Sequence, residues 1–349
     1  DVKQLGRIGT KTIVFYLSTT ALAIVIALFL GSVLKPGMGL DMSSVVTGEV
    51  SIGESKSIVD ILVGIIPTNP IASFANGDML QIIFFAMLTG VAMSIIGEKA
   101  EPVRKVFESA NEICMKIVSI VMLAAPIGVF SLVAETFSTV GQDAILVLVK
   151  YLLVVLLGLF IHVTVVYSGL FKIFIKQKIM PFLKKFTKVA AITFSTSSSN
   201  ASVPASMEIL EELGVGKTTR SFTIPMGATI NRDGTAIMQG VAALFIAQIY
   251  GIDLGMNQMI TIVLTATLAS IGTAGVPGVG IIMLSMVLTS VNLPLEGIGL
   301  IMGVERSIDM FRTTVNVMGD NICTLIVANS ENDFDKEKYY SGEKEEVVA

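Results

Sequence analysis

Glu305, Asp309, Arg312, Thr313, Asn316 and Asp320 are the residues of this chain whose types and spacing suit them for chemistry. On a helix they share an arc of about 100° along roughly 22 Å of axis. Ile308, Phe311, Val315 and Met318 then point the other way. Arg312 carries a planar fork of donors that fits a carboxylate bidentately and stays charged in a low dielectric. Its alternative employment is an internal ion pair with Asp309 or Glu305. Such a stripe is expensive in hydrocarbon, so in a membrane protein it must line a polar place inside the protein. In a soluble protein it would be an ordinary solvated face.

Composition decides between the two. Of 349 residues, 53% are hydrophobic and only 15% charged, with a mean hydropathy of +0.79. Soluble domains carry about 25% charged residues, so the expectation is an all-α polytopic membrane protein. Thr12–Leu34, Met79–Ile96, Ile113–Val133, Ala144–Phe171 and Ile260–Leu293 each approach or exceed the roughly 20 residues that cross a bilayer. A net charge of −4, with no basic patch interleaved with aromatics, argues against a nucleic-acid partner. Cys114 and Cys323 read as buried thiols, which suits a multi-pass protein of the inner or plasma membrane. The opening DVKQLGRIGTK is charged, has no signal-peptide pattern and reads as an internal loop.

Basic clusters at Lys3–Arg7–Lys11, Lys99–Arg104–Lys105, Lys172–Lys188 and Lys217–Arg220 orient the spans, since such clusters favour the cytoplasmic side. Between the last two clusters, Val189–Leu213 is interrupted by FSTSSSNASVP, so this segment enters and leaves on one face as a re-entrant hairpin with a serine tip. Ser221–Tyr250 crosses the membrane but is interrupted at Asn231–Thr235, between Gly227 and Gly234. Ile260–Leu293 is interrupted at Ser270–Gly280, which reads as a second hairpin from the opposite face. Two hairpins, each followed by a polar-interrupted span, form inverted repeats, the arrangement in which secondary transporters place substrate and coupling ions. The acidic tail from Glu331 is expected to be loose.

TSSSNASVP, ATINRDGT, SIGTAGVPG and DMFRTTVNVMGD, in that order, resemble the dicarboxylate/amino acid:cation symporter family, the glutamate transporters. The resemblance runs from the third family span to the end, with the first two spans expected to be absent. It implies an elevator fold and a homotrimer in the lipid bilayer. In it, residues 1–37 are a transport-domain span with a cytoplasmic lead, 38–138 the scaffold, 139–330 the transport domain and 331–349 a cytoplasmic tail. The implied function is cation-coupled transport of aspartate or glutamate, with cystine or a C4-dicarboxylate as the alternative. No cofactor is implied beyond Na+ as a coupling ion.

The resemblance also implies a substrate site of Ser197, Ser198, Thr235, Val276, Gly280, Asp309, Arg312, Thr313 and Asn316. Arg312 would hold the side-chain carboxylate and Asp309 the ammonium. One implied sodium site uses Asp320, Asn316 and carbonyls of Gly227 and Asn231. A second uses carbonyls of Thr229, Ser270, Ile271 and Thr273, and a third Tyr16, Thr19, Thr20, Asn231 and Asp233.

The chain departs from the family pattern in two places. Arg232 stands where the family's NMDGT motif has methionine, and Thr196 and Met310 occupy positions where members place an accessory arginine. A fixed cation beside the sodium carboxylates would compete with the ion, since like charges about 4 Å apart cost roughly 4 kcal/mol at an effective dielectric near 20. Weakened sodium dependence is therefore expected; the alternative is an Arg232 that snorkels to water or pairs with another acid. Glu305 reads as a partner of Arg306, and His162 as a hydrogen-bonded core histidine rather than a proton relay. An intramembrane hydrolase using Ser197–Ser199 lacks the G-x-S-x-G context, and the acids at 233, 309 and 320 do not suit a dedicated anion channel.

Overall fold

The computed structural model describes residues 2–40, 63–76, 79–121, 143–271 and 278–340, with isolated positions between 123 and 134. Regular structure among them is helical throughout, apart from one β-bridge between Val215 and Phe334. In chain order the helices are α1 (Val2–Leu34), α2 (Pro70–Asn76), α3 (Met79–Ile96), α4 (Glu101–Val121) and α5 (Asp143–Ile161). A π-helical segment, His162–Tyr167, joins α5 to α6 (Ser168–Phe174). Then follow α7 (Met180–Thr196), α8 (Ser199–Glu212), α9 (Lys217–Ile230), α10 (Asp233–Ile249), α11 (Met256–Ile271), α12 (Val279–Ser290), α13 (Gly297–Ser330) and the short α14 (Lys336–Tyr339).

α10 is the centre of the bundle. It is buried on every side except at Gln248 and packs on α1, α13, α5 and α11. An all-round apolar helix needs neighbours on all sides, and α1 packs on it most extensively. Gln248 ties the far end of α1 to this core, donating to the Gly31 carbonyl at 2.9 Å and accepting from the Gly37 amide at 2.8 Å. Among the described residues, two continuous helical stretches, Gln4–Leu34 and Ile145–Phe174, are long and apolar enough to cross a membrane.

Each expected interruption is a helix break with a local cause. Ser197 ends α7 in the left-handed region (φ 52°), and Ser198 caps α8 by accepting from the Ala201 amide at 3.3 Å. α7 and α8 pack against one another as a helical pair. Between α9 and α10 the chain unwinds at Asn231 and Arg232 only. α11 and α12 pair in the same way; the residues joining them, 272–277, lie outside the described set, and with them Thr273 and Val276.

Several expectations are corrected. The opening stretch is helical from Val2, continuous with the first span, because Arg7 and Lys11 find an acid to pair with at Glu331. The first arm of the serine-tipped pair begins at Met180 rather than Val189. Cys114 is exposed on α4, whose Val106, Phe107, Ile113 and Ile117 are exposed with it. The tail is not loose up to Tyr340. Asp335 donates to the Gly214 carbonyl and Gly216 to that of Asp333, both at 2.8 Å. Asp333 accepts from the Thr219 hydroxyl at 2.6 Å, and the Tyr339 hydroxyl donates to the Lys178 carbonyl at 2.8 Å. Gly216 permits this clasp, because a Cβ there would overlap the Asp333 carboxylate.

Candidate substrate and cation site

α13 buries the whole polar stripe, with none of its six residues more than 9% exposed. The opposite face is less open than its spacing suggests, for Ile308 and Val315 are buried as well and only Phe311 is exposed. α13 can carry this stripe because α7, α8, α9 and α10 all pack on it. The backbone opening of α10 lies close against it: a Cβ on Gly234 would sit 2.5 Å from the Arg312 carbonyl oxygen.

Arg312 is 2% exposed and engaged by acids of its own helix. Its Nε and Nη2 lie 3.0 and 2.9 Å from Asp309 Oδ1, and its Nη1 lies 2.8 Å from Glu305 Oε1. The expected pairing of Glu305 with Arg306 is therefore corrected. Two helical turns bring residue 312 to within about 20° of residue 305, whereas residue 306 lies about 100° away. The Thr313 hydroxyl donates to the same Asp309 oxygen at 3.3 Å.

The α11–α12 pair bears on this group. The start of α12 lies on the guanidinium, since a Cβ on Gly280 would overlap its nitrogens. The Gly278 amide stands 3.4 Å from Asp309 Oδ2. At the serine tip, the Ser197 side chain is 2% exposed and its hydroxyl has no hydrogen-bond partner among the described residues. The two serines thus differ: Ser198 spends its Oγ on the α8 cap, while that of Ser197 is unpartnered among the described residues. Asn316 accepts from the Gly234 amide at 2.7 Å and donates to the Thr235 hydroxyl at 3.3 Å, locking the α10 opening to the stripe.

The oxygen donors expected for cations fall into groups. Asn231 donates to Asp320 Oδ1 at 2.9 Å and to the Asn316 carbonyl at 2.8 Å, and its own Oδ1 is buried without a partner. A Cβ on Gly227 would lie 2.6 Å from Asp320 Oδ1 and 2.5 Å from the Tyr16 hydroxyl. Asp320, Asn316, Asn231 and Gly227 are thus neighbours, and their carboxylate, amide and carbonyl oxygens are the hard donor types that could hold sodium. Thr20 donates to Asp233 Oδ1 at 2.6 Å, beside Tyr16, while Thr19 turns its hydroxyl back to the Tyr16 carbonyl at 3.2 Å. Of the remaining group, Thr229 lies exposed in the last turn of α9, and Ser270 and Ile271 end α11, which touches α9.

Arg232 does not snorkel. It is 3% exposed and donates to Ser199 Oγ at 3.2 Å, to the Asn231 carbonyl at 3.1 Å and to the Ala228 carbonyl at 2.6 Å. Asp320 and Asp309 lie within its electrostatic reach. Ser199, Tyr167 and His162 are site neighbours that spacing alone did not reveal. His162 is a buried, hydrogen-bonded histidine as expected, and its partner is Asp233.

The sequence has relatives among known proteins. The chain is 38% identical over 355 residues to the proton/glutamate-aspartate symporter of Escherichia coli (strain K12), covering 99% of this chain and 81% of that protein. It is 37% identical to the C4-dicarboxylate transport protein of Bacillus subtilis (strain 168), over 97% of this chain and 82% of that protein. Against the proton/sodium-glutamate symport protein of Geobacillus stearothermophilus it is 36% identical, over 97% and 82%. By their names two of these relatives are symporters and the third a transport protein, not enzymes. A model of the sodium:dicarboxylate symporter family matches residues 1–330, and the chain belongs to that family.

Proposed function

We propose that the chain is a secondary active, cation-coupled transporter of acidic amino acids, moving aspartate or glutamate across the inner or plasma membrane. The carrying observation is the buried Arg312–Asp309 pair, with Gly280 at the start of α12 lying directly on its guanidinium. Arg312 presents two faces for a side-chain carboxylate, and Asp309 presents a charge for an ammonium. The acids hold each other's place: when substrate enters, its carboxylate takes the guanidinium and frees Asp309 for the amine. The Ser197 hydroxyl and the α8 N-terminus then meet the α-carboxylate, with Thr313, Thr235, Asn316 and the Val276 backbone completing the shell.

Residues 1–37 and 139–330 form a transport domain that slides as an elevator past a scaffold of residues 38–138, in a homotrimer of multi-pass chains. The tail 331–349 is cytoplasmic. The two helical pairs are re-entrant hairpins from opposite faces, related as inverted repeats. The apolar surface of α4 and the narrow contact of α3 with α11 support that division. Sodium occupies the sites formed by Asp320, Asn316, Gly227 and Asn231; by Thr229, Ser270, Ile271 and Thr273; and by Tyr16, Thr19, Thr20, Asn231 and Asp233. Buried Arg232 supplies part of the positive field that sodium supplies in relatives and weakens the sodium dependence of binding.

A second reading, symport of a C4-dicarboxylate or of cystine, draws support for the former from the B. subtilis relative. Asp309 argues against the dicarboxylate, which offers it no cation. Counterflow and uptake of labelled aspartate and succinate in proteoliposomes, under sodium and proton gradients imposed separately, test both readings. Aspartate accumulation under a cation gradient is expected, and uptake of succinate alone would favour the alternative.

A further inference from the structure

Asp233 opens α10 and is 0% exposed, so its carboxylate must be matched by donors or a cation. Side chains of two other elements supply the donors. Thr20 stands 2.6 Å from Oδ1, while Tyr167 OH and His162 Nε2 stand 2.8 and 3.1 Å from Oδ2. His162 and Tyr167 are themselves 0% exposed, with rings edge to face at 4.6 Å.

The backbone is shaped to bring them there. Residues five apart on an α-helix point roughly 140° apart. The π-helical segment His162–Tyr167 closes its turn five residues on and puts both side chains on one side. The Tyr167 hydroxyl finds room because Gly319 has no side chain; a Cβ there would overlap it. The tautomer follows from the surroundings. Among the described residues His162 Nδ1 has no hydrogen-bond partner, and a lone pair on Nε2 would face the carboxylate's own lone pairs. The hydrogen therefore sits on Nε2 and is donated to Asp233.

We propose that His162 and Tyr167 are built-in ligands of Asp233, which satisfy its Oδ2 alongside any coupling cation and so set how much sodium substrate binding needs. This deepens the transporter reading and rests on it. It is separate from Arg232, whose field bears on Asp320 and Asp309. Three protein donors fill most of a carboxylate's lone-pair sites, so the acid is satisfied when no ion is bound. Removing a donor leaves an under-matched buried charge, and sodium becomes the remedy.

The test is aspartate titration of the purified full-length chain in sodium-free and sodium-replete buffer, on the wild type, His162→Leu, His162→Gln and Tyr167→Phe. Loss of a charged hydrogen bond is expected to raise the sodium-free to sodium-replete Kd ratio about tenfold or more in His162→Leu and in Tyr167→Phe. His162→Gln, which keeps an N–H, should hold the wild-type ratio. A merely structural role would lower affinity or stability without moving that ratio. An unchanged ratio in both donor-lacking variants overturns the proposal, and so does a glutamine variant that behaves like the leucine one. If His162→Leu does not fold, Tyr167→Phe carries the test alone. Sodium alone should also raise the melting temperature of Tyr167→Phe more than that of the wild type. This readout needs no substrate, so it still decides the proposal if aspartate proves not to be the cargo; equal shifts would overturn it.

Discussion

Gly280 and Arg312 are in contact through the absence of a side chain: the space a Cβ would need at residue 280 is filled by the guanidinium. The close packing of α12 on Arg312 therefore depends on that missing methyl. Gly280→Ala is expected to prop α12 away from Arg312 at an overpacking cost of about 1–3 kcal/mol. Titration should show aspartate affinity lower by about 5- to 150-fold, with the melting temperature nearly unchanged. Unaltered affinity would mean that α12 does not close on bound substrate.

Asp309→Asn removes the charge offered to an ammonium and leaves Arg312 with Glu305 as its acid. Competition against labelled aspartate should show aspartate weakened by at least about tenfold, with succinate gaining relative to it. Parallel loss of both ligands would assign Asp309 to folding rather than recognition.

Arg232→Met restores the family's residue beside Asp320. Aspartate binding is then expected to acquire a sodium dependence larger by about a hundredfold, as loss of a close charge worth roughly 3–4 kcal/mol allows. Equal sodium dependence in both proteins would place the determinant elsewhere.

Glu331 joins the end of α13 to the start of α1, 2.5 Å from Lys11 and 3.0 Å from Arg7. Hydrogen bonds from Lys11 and then Arg7 hold its carboxyl below the usual carboxylate range. Its contribution to stability is therefore full above its unfolded value of about pH 4.3 and is lost as pH falls through the lower folded value. With solvated partners the two pairs together are worth about 1 kcal/mol. Glu331→Gln should melt below the wild type at neutral pH, and the gap should close toward about pH 3. A gap independent of pH would contradict the pairing.

How much of this was legible in the sequence depended on whether a signal was local. The breaks at Ser197–Ser198 and Asn231–Arg232 were readable because serine runs and NRDGT disrupt helices wherever they fall. The stripe was readable because 3.6-residue periodicity fixes which side chains share a face. Partner choice was not. Glu305 turned to Arg312 instead of Arg306 through two turns of geometry, and Arg232 met Ser199, which lies on another element. HVTVVY carries no mark of a π-helix, so nothing in the spacing of His162 and Tyr167 placed them together on Asp233. The clasp of Asp333 and Asp335 on Gly214 and Gly216 joins segments more than a hundred residues apart, and its tail looked too polar to fold.

The central claim is that Arg312 and Asp309 jointly hold a zwitterion bearing a second carboxylate, and the unmodified protein tests it most directly. Calorimetric titration with aspartate, succinate and asparagine compares a ligand bearing both charged handles with one lacking the ammonium and one lacking the side-chain carboxylate. Aspartate should bind, and each of the others should bind at least about tenfold more weakly, the worth of one charged hydrogen bond. Succinate or asparagine binding as tightly as aspartate would contradict the account.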